Sequence, residues 1–145
     1  MRIAAGSDEA TTVTRATVDF LRSSGHDVVE YGPLSDRDGS WVSVAEDVAR
    51  AVAEKECDVG LLFCFTGTGV SIAANKVPGA RAALCVDAET ARGARRWNDA
   101  NILVLSYRLA SNTVAKEIAS AFLSEDFDEA DRPLIEELHQ LEQAP

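Results

Sequence analysis

The sequence predicts an α/β fold in which a five-stranded parallel sheet lies between two layers of helices. Short apolar segments of strand length alternate with longer segments of helical period along the chain. The run from Val59 to Phe63 is continuously apolar, which is typical of a parallel strand covered on both faces. Parallel strands need long, right-handed crossovers, and these place helices on both sides of a sheet. We therefore expect a Rossmann-like three-layer α/β/α arrangement.

The first half of the chain predicts three strands and two helices. Residues 2–5 form a short apolar strand, and a helix follows in which Val13, Ala16, Phe20 and Leu21 share one side. Gly25 is placed to end that helix. A second strand at 27–31 leads into a polar loop at 32–39, rich in turn residues. Apolar residues at helical spacing then predict a helix over 41–55, before the strand that starts at Val59.

The second half continues the alternation. The predicted elements are a helix at 70–77, a strand at 80–85, a helix at 88–97, a strand at 102–105, an amphipathic helix at 109–123 and a C-terminal helix over about 131–143. Nothing between these segments resembles a linker, so we expect residues 1–145 to form a single domain.

Composition narrows the classes of function. The formal net charge of −10 argues against nucleic-acid binding, which needs a cationic surface. Three cysteines without metal-type spacing, Cys57, Cys64 and Cys85, suggest neither a disulfide framework nor a zinc site. The chain has no apolar run of membrane-spanning length, and its amino terminus enters a strand without a leader. We expect a cytoplasmic protein that binds neither membranes nor nucleic acids.

The segment from Cys64 to Lys76 is the most informative candidate site. It places a thiol at the carboxyl end of a buried strand, which is the edge of an α/β sheet where ligands bind. Gly67 and Gly69 allow a tight turn and close approach of a ligand to the main chain. Backbone N–H groups at the next helix start favour an anion or a developing oxyanion, and they favour a thiolate nearby. The alternative is that Cys64 is a small buried apolar residue and the glycines only form a turn.

Several blocks in order resemble the ribose-5-phosphate isomerase B and galactose-6-phosphate isomerase family of small sugar-phosphate isomerases. The similarity extends to about Phe127. The matching blocks are residues 3–8, 25–29, 64–76, 79–85 and 98–101.

The resemblance implies an aldose-ketose isomerase that moves a proton between C1 and C2 of an open-chain sugar through a cis-enediol. Cys64 matches the family's catalytic base, and Thr66 matches a hydroxyl that assists near the sugar oxygens. The resemblance also implies substrate contacts by Asp8, by Asn98, by Arg108 at the phosphate, and by the backbone of Gly67, Thr68, Gly69, Val70 and Ser71. It implies no metal and no organic cofactor. In the family the cleft lies between two subunits, so we expect at least a homodimer, with a tetramer left open, and a C-terminal helix that packs on a partner subunit.

The chain departs from the family pattern at several positions of the site. Glu9 stands where enzymes acting on ribose 5-phosphate usually carry histidine, and Trp97 replaces a histidine credited with opening the sugar ring. Arg132 is all that represents a basic tail that grips the phosphate. Phe65 replaces a glycine, and Ser71 stands where some relatives carry a glutamate base. We count Glu9, Trp97 and Arg132 among the candidate substrate-binding residues.

These departures leave three interpretations open. The substrate is a sugar phosphate other than ribose 5-phosphate, such as a tetrose phosphate, which cannot close a stable ring through its phosphorylated oxygen. Alternatively, the chain isomerises or epimerises an unphosphorylated sugar, whose hydroxyls Glu9 would bind. As a third possibility, it is a non-catalytic binding or partner subunit.

Two further expectations concern residues near the cleft. Trp41 follows the polar loop as either a core residue or a lid over the cleft, and we expect a core residue. Asp8 and Glu9 are neighbours on an extended loop, so we expect their carboxylates to point apart and not to bind a metal.

Overall fold

The computed structural model describes residues 1–143, and its strands form one parallel sheet. The strands are β1 (Arg2–Ser7), β2 (Asp27–Tyr31), β3 (Val59–Cys64), β4 (Ala82–Leu84) and β5 (Ile102–Ser106). They lie side by side in the order β2-β1-β3-β5-β4. The central strand β3 is buried along its whole length and pairs with β1 and β5. This position explains its continuously apolar sequence.

Helices cover both faces of the sheet. They are α1 (Thr12–Ser23), α2 (Trp41–Ala53), α3 (Thr68–Ala74), α4 (Ala88–Asn98), α5 (Asn112–Ser124) and α6 (Arg132–Glu142). On one face α1, α4 and α5 pack through residues such as Val18, Ala91 and Phe122. On the other face α2 and α3 pack through residues such as Val48 and Val70. The predicted three-layer α/β/α fold with five parallel strands is confirmed.

Side-chain caps set where the longer helices begin. Ser40, Asp87 and Ser111 each accept a hydrogen bond from a backbone N–H in the first turn of α2, α4 and α5. Thr11 forms a capping box with Thr14 at the start of α1. The Ser111 cap explains why α5 starts three residues later than the predicted boundary at 109.

Other boundaries also differ by a few residues. Strand β1 continues to Ser7, so it carries the loop at Asp8 to the sheet edge. Strand β4 is shorter than predicted and lies at the edge of the sheet. The helix after the glycine loop begins at Thr68 and ends at Ala74. Within residues 1–143, no helix is both long and apolar enough to cross a membrane.

Candidate active site

Cys64 ends the central strand at the carboxyl edge of the sheet. Its Sγ accepts a hydrogen bond from the Gly67 N–H at 3.1 Å. The residue is only 5 % exposed, whereas the next residue along the chain, Phe65, is 57 % exposed. The thiol therefore lies just beneath the surface of this edge, within a turn that supplies a donor to sulfur.

The turn after Cys64 requires glycine at position 67 and leaves little room for a side chain at position 69. Gly67 has φ +83°, and a Cβ there would lie 2.6 Å from Cδ1 of Leu84. A Cβ on Gly69 would lie 3.0 Å from the indole ring of Trp41. Trp41 is 44 % exposed, so the expectation of a core tryptophan is wrong. The indole lies against the glycine turn because the first turn of α2 faces α3 across this end of the molecule.

The backbone donors expected at this turn are not equivalent. Gly67 N–H is engaged by the thiol, and Ser71 N–H donates to the Gly67 carbonyl at 3.2 Å. In the described part of the chain, the amides of Thr68, Gly69 and Val70 have no hydrogen-bond partner. These three donors are the ones left for an anion. The hydroxyls of Thr66 and Thr68 lie 2.8 Å apart on the exposed side of the turn.

The end of β1 brings two carboxylates to the same edge. The Tyr107 hydroxyl lies 3.0 Å from Oδ1 of Asp8 and 3.4 Å from Oε2 of Glu9. The two carboxylates converge on one phenol, so the expectation that they point apart is wrong. Ser7 Oγ donates to the Glu9 carbonyl at 2.6 Å, which turns the loop so that both side chains face β5.

The end of β5 braces the backbone around Cys64. Tyr107 N–H donates to the Cys64 carbonyl at 3.2 Å, and Arg108 N–H donates to the Phe65 carbonyl at 3.1 Å. Ser106 Oγ donates to the same Phe65 carbonyl at 2.7 Å. The Arg108 side chain is exposed, and among residues 1–143 no carboxylate forms an ion pair with it.

Sequence reasoning missed Tyr107. Its position was available, because the residue directly follows a strand that ends at the same edge as Cys64. Burial, followed by the hydrogen bond to Asp8, raises the pKa of Tyr107. Its hydroxyl consequently remains a protonated donor at neutral pH.

Three predicted residues lie at the opposite edge of the sheet. Helix α4 runs from the end of β4 to the start of β5, so Trp97 and Asn98 lie at the amino edge. Arg132 lies there too, paired with Glu129 at 2.8 Å and with Asp99 at 3.7 Å. A strand of this length separates the two edges by roughly 15 Å. One chain therefore does not bring these three residues to Cys64.

The amino edge has a cleft of its own. Its volume is about 540 Å³, and its lining includes Asn75, Lys76, Arg81, Asn98, Leu138 and Leu141. Arg81 is fixed there by an ion pair with Asp99 at 3.2 Å. This cleft contains Asn98 and not Cys64. Across the described residues, no group of three or more His, Cys, Asp or Glu side chains is arranged to hold a metal ion.

Comparison with known proteins gives consistent matches. Residues 3–137 match the family model described as Ribose/Galactose Isomerase. The chain is 35 % identical over 130 residues to D-erythrulose-4-phosphate isomerase of Pectobacterium atrosepticum, covering 88 % of this chain and 86 % of that protein. It is 36 % identical over 128 residues to ribose-5-phosphate isomerase B of Escherichia coli, covering 88 % and 86 %.

A solved structure agrees at the level of the fold. Ribose-5-phosphate isomerase B of Clostridium thermocellum superposes with a TM-score of 0.93 at 36 % identity, covering 99 % of this chain and 98 % of that one. The fold and these matches show that the chain belongs to the ribose/galactose isomerase family of sugar-phosphate aldose-ketose isomerases.

Proposed function

We propose that the chain interconverts the aldose and ketose forms of a short sugar phosphate, with a four-carbon ketose phosphate as the first candidate. The observation that carries the proposal is the Cys64 thiol at the carboxyl edge, beside the three unpartnered amides of Thr68, Gly69 and Val70. A relative of known substrate, D-erythrulose-4-phosphate isomerase, shares 35 % identity over most of the chain.

The arrangement suits proton transfer between neighbouring carbons. Cys64, as thiolate, removes a proton from C1 of the ketose, and the electron pair moves through the new C1–C2 double bond to the carbonyl oxygen. The amides at the start of α3 stabilise the enediolate oxygen. The hydroxyl of Thr66 relays a proton between the two sugar oxygens, and the thiol returns its proton to C2 to give the aldose.

A four-carbon substrate explains the histidine missing at position 97. An aldose phosphorylated on O4 cannot close a five-membered ring through that oxygen, so no base is needed to open one. Trp97 carries a single N–H donor and cannot act as a base. Ribose 5-phosphate closes into a furanose and would need that step.

We further propose that the complete cleft forms between two copies of the chain. Trp97, Asn98 and Arg132 lie at the edge opposite Cys64, so a second chain would have to supply them. Helix α6 supports this because Leu134, Leu138 and Leu141 are exposed. Arg108, free of ion pairs among residues 1–143, supplies positive charge for a phosphate at the Cys64 edge.

A second candidate is isomerisation or epimerisation of an unphosphorylated sugar. The observation that favours it is the pair of carboxylates at the end of β1, both turned toward Tyr107. Carboxylates accept hydrogen bonds from sugar hydroxyls and repel a phosphate dianion. The engagement of Arg132 by Glu129 and Asp99 favours the same candidate.

Solvent-proton exchange distinguishes these candidates. The protein is incubated in D₂O with D-erythrulose 4-phosphate, D-ribulose 5-phosphate and unphosphorylated D-erythrulose, and NMR follows deuterium at C1 and C2. We expect the fastest incorporation with D-erythrulose 4-phosphate and a fall of at least about 100-fold in the Cys64→Ala variant. Faster exchange into the unphosphorylated sugar would favour the second candidate, and exchange at the wild-type rate in Cys64→Ala would reject Cys64 as the base.

A further inference from the structure

Tyr107 follows β5 and connects it to the ends of β1 and β3 at the Cys64 edge. Its N–H donates to the Cys64 carbonyl, and its hydroxyl reaches the carboxylates of Asp8 and Glu9. Its ring lies 6.0 Å from that of Phe65, at an interplanar angle of 57°. The side chain is thus held at its backbone, its ring and its hydroxyl.

Tyr107, Asp8 and Glu9 together have far more hydrogen-bond acceptors than donors. A phenol donates one hydrogen bond, whereas two carboxylates together offer about eight acceptor sites. The Oη to Asp8 Oδ1 distance of 3.0 Å is the better hydrogen bond, and the Glu9 Oε2 distance of 3.4 Å is long. Most carboxylate lone pairs at this edge consequently remain open to donors from a bound molecule.

Charge decides which part of a sugar phosphate can approach these lone pairs. Two carboxylates in close contact with one phenol repel a phosphate dianion, and they attract hydroxyl donors. The exposed guanidinium of Arg108 follows Tyr107 directly and offers the phosphate an alternative position. The polyol part of the substrate therefore belongs at the end of β1.

We infer that Tyr107 is a positioning residue that holds Asp8 and Glu9 as acceptors for the substrate hydroxyl next to the reacting carbons, and that this contact selects hydroxylated over deoxygenated chains. The inference rests on the proposed function and specifies which residues of the same site bind the substrate hydroxyl. Sites built to bind a hydroxyl reject an analogue that lacks it, because their polar groups are then left unpaired.

The test combines one variant with one pair of substrates. Tyr107→Phe keeps the ring that packs on Phe65 and removes only the hydroxyl. The substrates are D-erythrulose 4-phosphate and its 3-deoxy analogue, which lacks the secondary hydroxyl beside the carbonyl. Tyr31→Phe is the matched control, because Tyr31 ends β2 at the same edge and β1 lies between β2 and the strand that ends in Cys64.

We expect wild-type kcat/KM to be at least about tenfold higher for D-erythrulose 4-phosphate than for the deoxy analogue. Tyr107→Phe should lower kcat/KM for D-erythrulose 4-phosphate about tenfold, mainly by raising KM, and should change the value for the analogue by less than about twofold. Tyr31→Phe should leave both values unchanged. This selective loss is the double-mutant-cycle signature of a contact between the hydroxyl and the Tyr107 group.

Equal losses with both substrates in Tyr107→Phe would show that the phenol only supports the fold, and unchanged kinetics would show that it has no role. Either result overturns the inference and leaves the proposed function intact, since the wild-type protein still turns over. If the wild-type protein turns over neither substrate, the proposed function fails, and the inference that depends on it fails as well.

Discussion

The three cysteines differ in what surrounds their sulfur atoms. Burial raises the pKa of the Cys57 thiol, and burial followed by the Asp87 carboxylate raises that of Cys85 to about 11. Cys64 instead has a backbone N–H directed at its sulfur. We therefore expect Cys64 to be the most reactive of the three thiols and Cys85 the least reactive.

Alkylation of the native protein by iodoacetamide should reflect this difference. At pH 8 a thiol with a pKa of about 11 is only about 0.1 % thiolate, so Cys85 should label slowly. We expect mass spectrometry to find Cys64 modified first and Cys85 modified only as the pH approaches 11 or after unfolding. Labelling of Cys85 at pH 8 as fast as that of Cys64 would contradict this prediction. The Cys64→Ala variant is the control, because it shows how much label the other two cysteines take up.

Single residues were predictable where one strand alone determined their position. Cys64 and Thr66 directly follow a continuously apolar run of strand length, so their placement at the carboxyl edge could be inferred without knowing any partner element. The convergence of Asp8 and Glu9 on Tyr107 could not be inferred in this way. It depends on β1 and β5 flanking the same central strand, which is a property of the sheet order and not of either segment.

At the scale of elements, the turn from β3 into α3 depends on one left-handed residue. Gly67 and Gly25 both have positive φ, at +83° and +91°. A Cβ on Gly67 would meet Leu84 at 2.6 Å, whereas a Cβ on Gly25 would meet nothing within 4 Å. At Gly25 an added side chain would meet only an unfavourable backbone conformation. At Gly67 it would meet the same conformation and also a steric clash.

Alanine substitutions at these glycines should have different effects. Gly25→Ala should lower the free energy of unfolding by about 1–2 kcal/mol through the left-handed backbone alone. Gly67→Ala should cost about 1 kcal/mol more, because the Leu84 side chain must move. Gly67→Ala should also lower the rate of deuterium incorporation into the substrate by at least about tenfold, because it displaces the amide that faces the thiol.

Urea denaturation measures the effect on stability, and deuterium incorporation into the substrate measures the effect on catalysis. Gly25→Ala should retain wild-type exchange despite its lower stability. If Gly67→Ala also retained it, the Gly67 N–H would have no part in arranging the base.

Element types were easier to predict than element boundaries. The helix at α5 was evident from its period, but its start depends on Ser111, which accepts the N–H of Val114 and leaves 109–110 outside the helix. Edge strand β4 pairs with only three residues of β5, which sets its length. Local hydrogen bonds of this kind do not alter hydrophobic periodicity, so the pattern cannot reveal them.

At the scale of the whole molecule, the candidate residues divide between two edges of one sheet. The direction of α4 in a parallel βαβ unit already requires Trp97 and Asn98 to lie opposite Cys64, so this division was implicit in the predicted topology. The position of α6 on the rest of the chain could not be predicted from the topology. It depends on contacts such as the hydrogen bond that the Gly79 N–H donates to the Glu142 carboxylate at 2.9 Å.

Hybrid dimers test whether the two edges act together across chains. Cys64→Ala and Asn98→Ala are each expected to be nearly inactive as homodimers, since each lacks one half of every shared cleft. Co-expressed and purified as a hybrid with two different affinity tags, they should recover about half of wild-type activity, because one of two clefts is then intact. If the hybrid stays as inactive as the two homodimers, Cys64 and Asn98 do not share a cleft across an interface. If Asn98→Ala alone is active, Asn98 has no part in the reaction.

The two tryptophans of this chain stand at opposite ends of the sheet. Trp41 lies against Gly69 at the carboxyl edge. Trp97 lies against Gly93 in the last turns of α4, at the amino edge. Each indole is partly open to solvent, so its emission responds to whatever covers it. The protein thus carries two built-in fluorophores, one sensitive to occupancy of the glycine turn and the other to what approaches the end of α4.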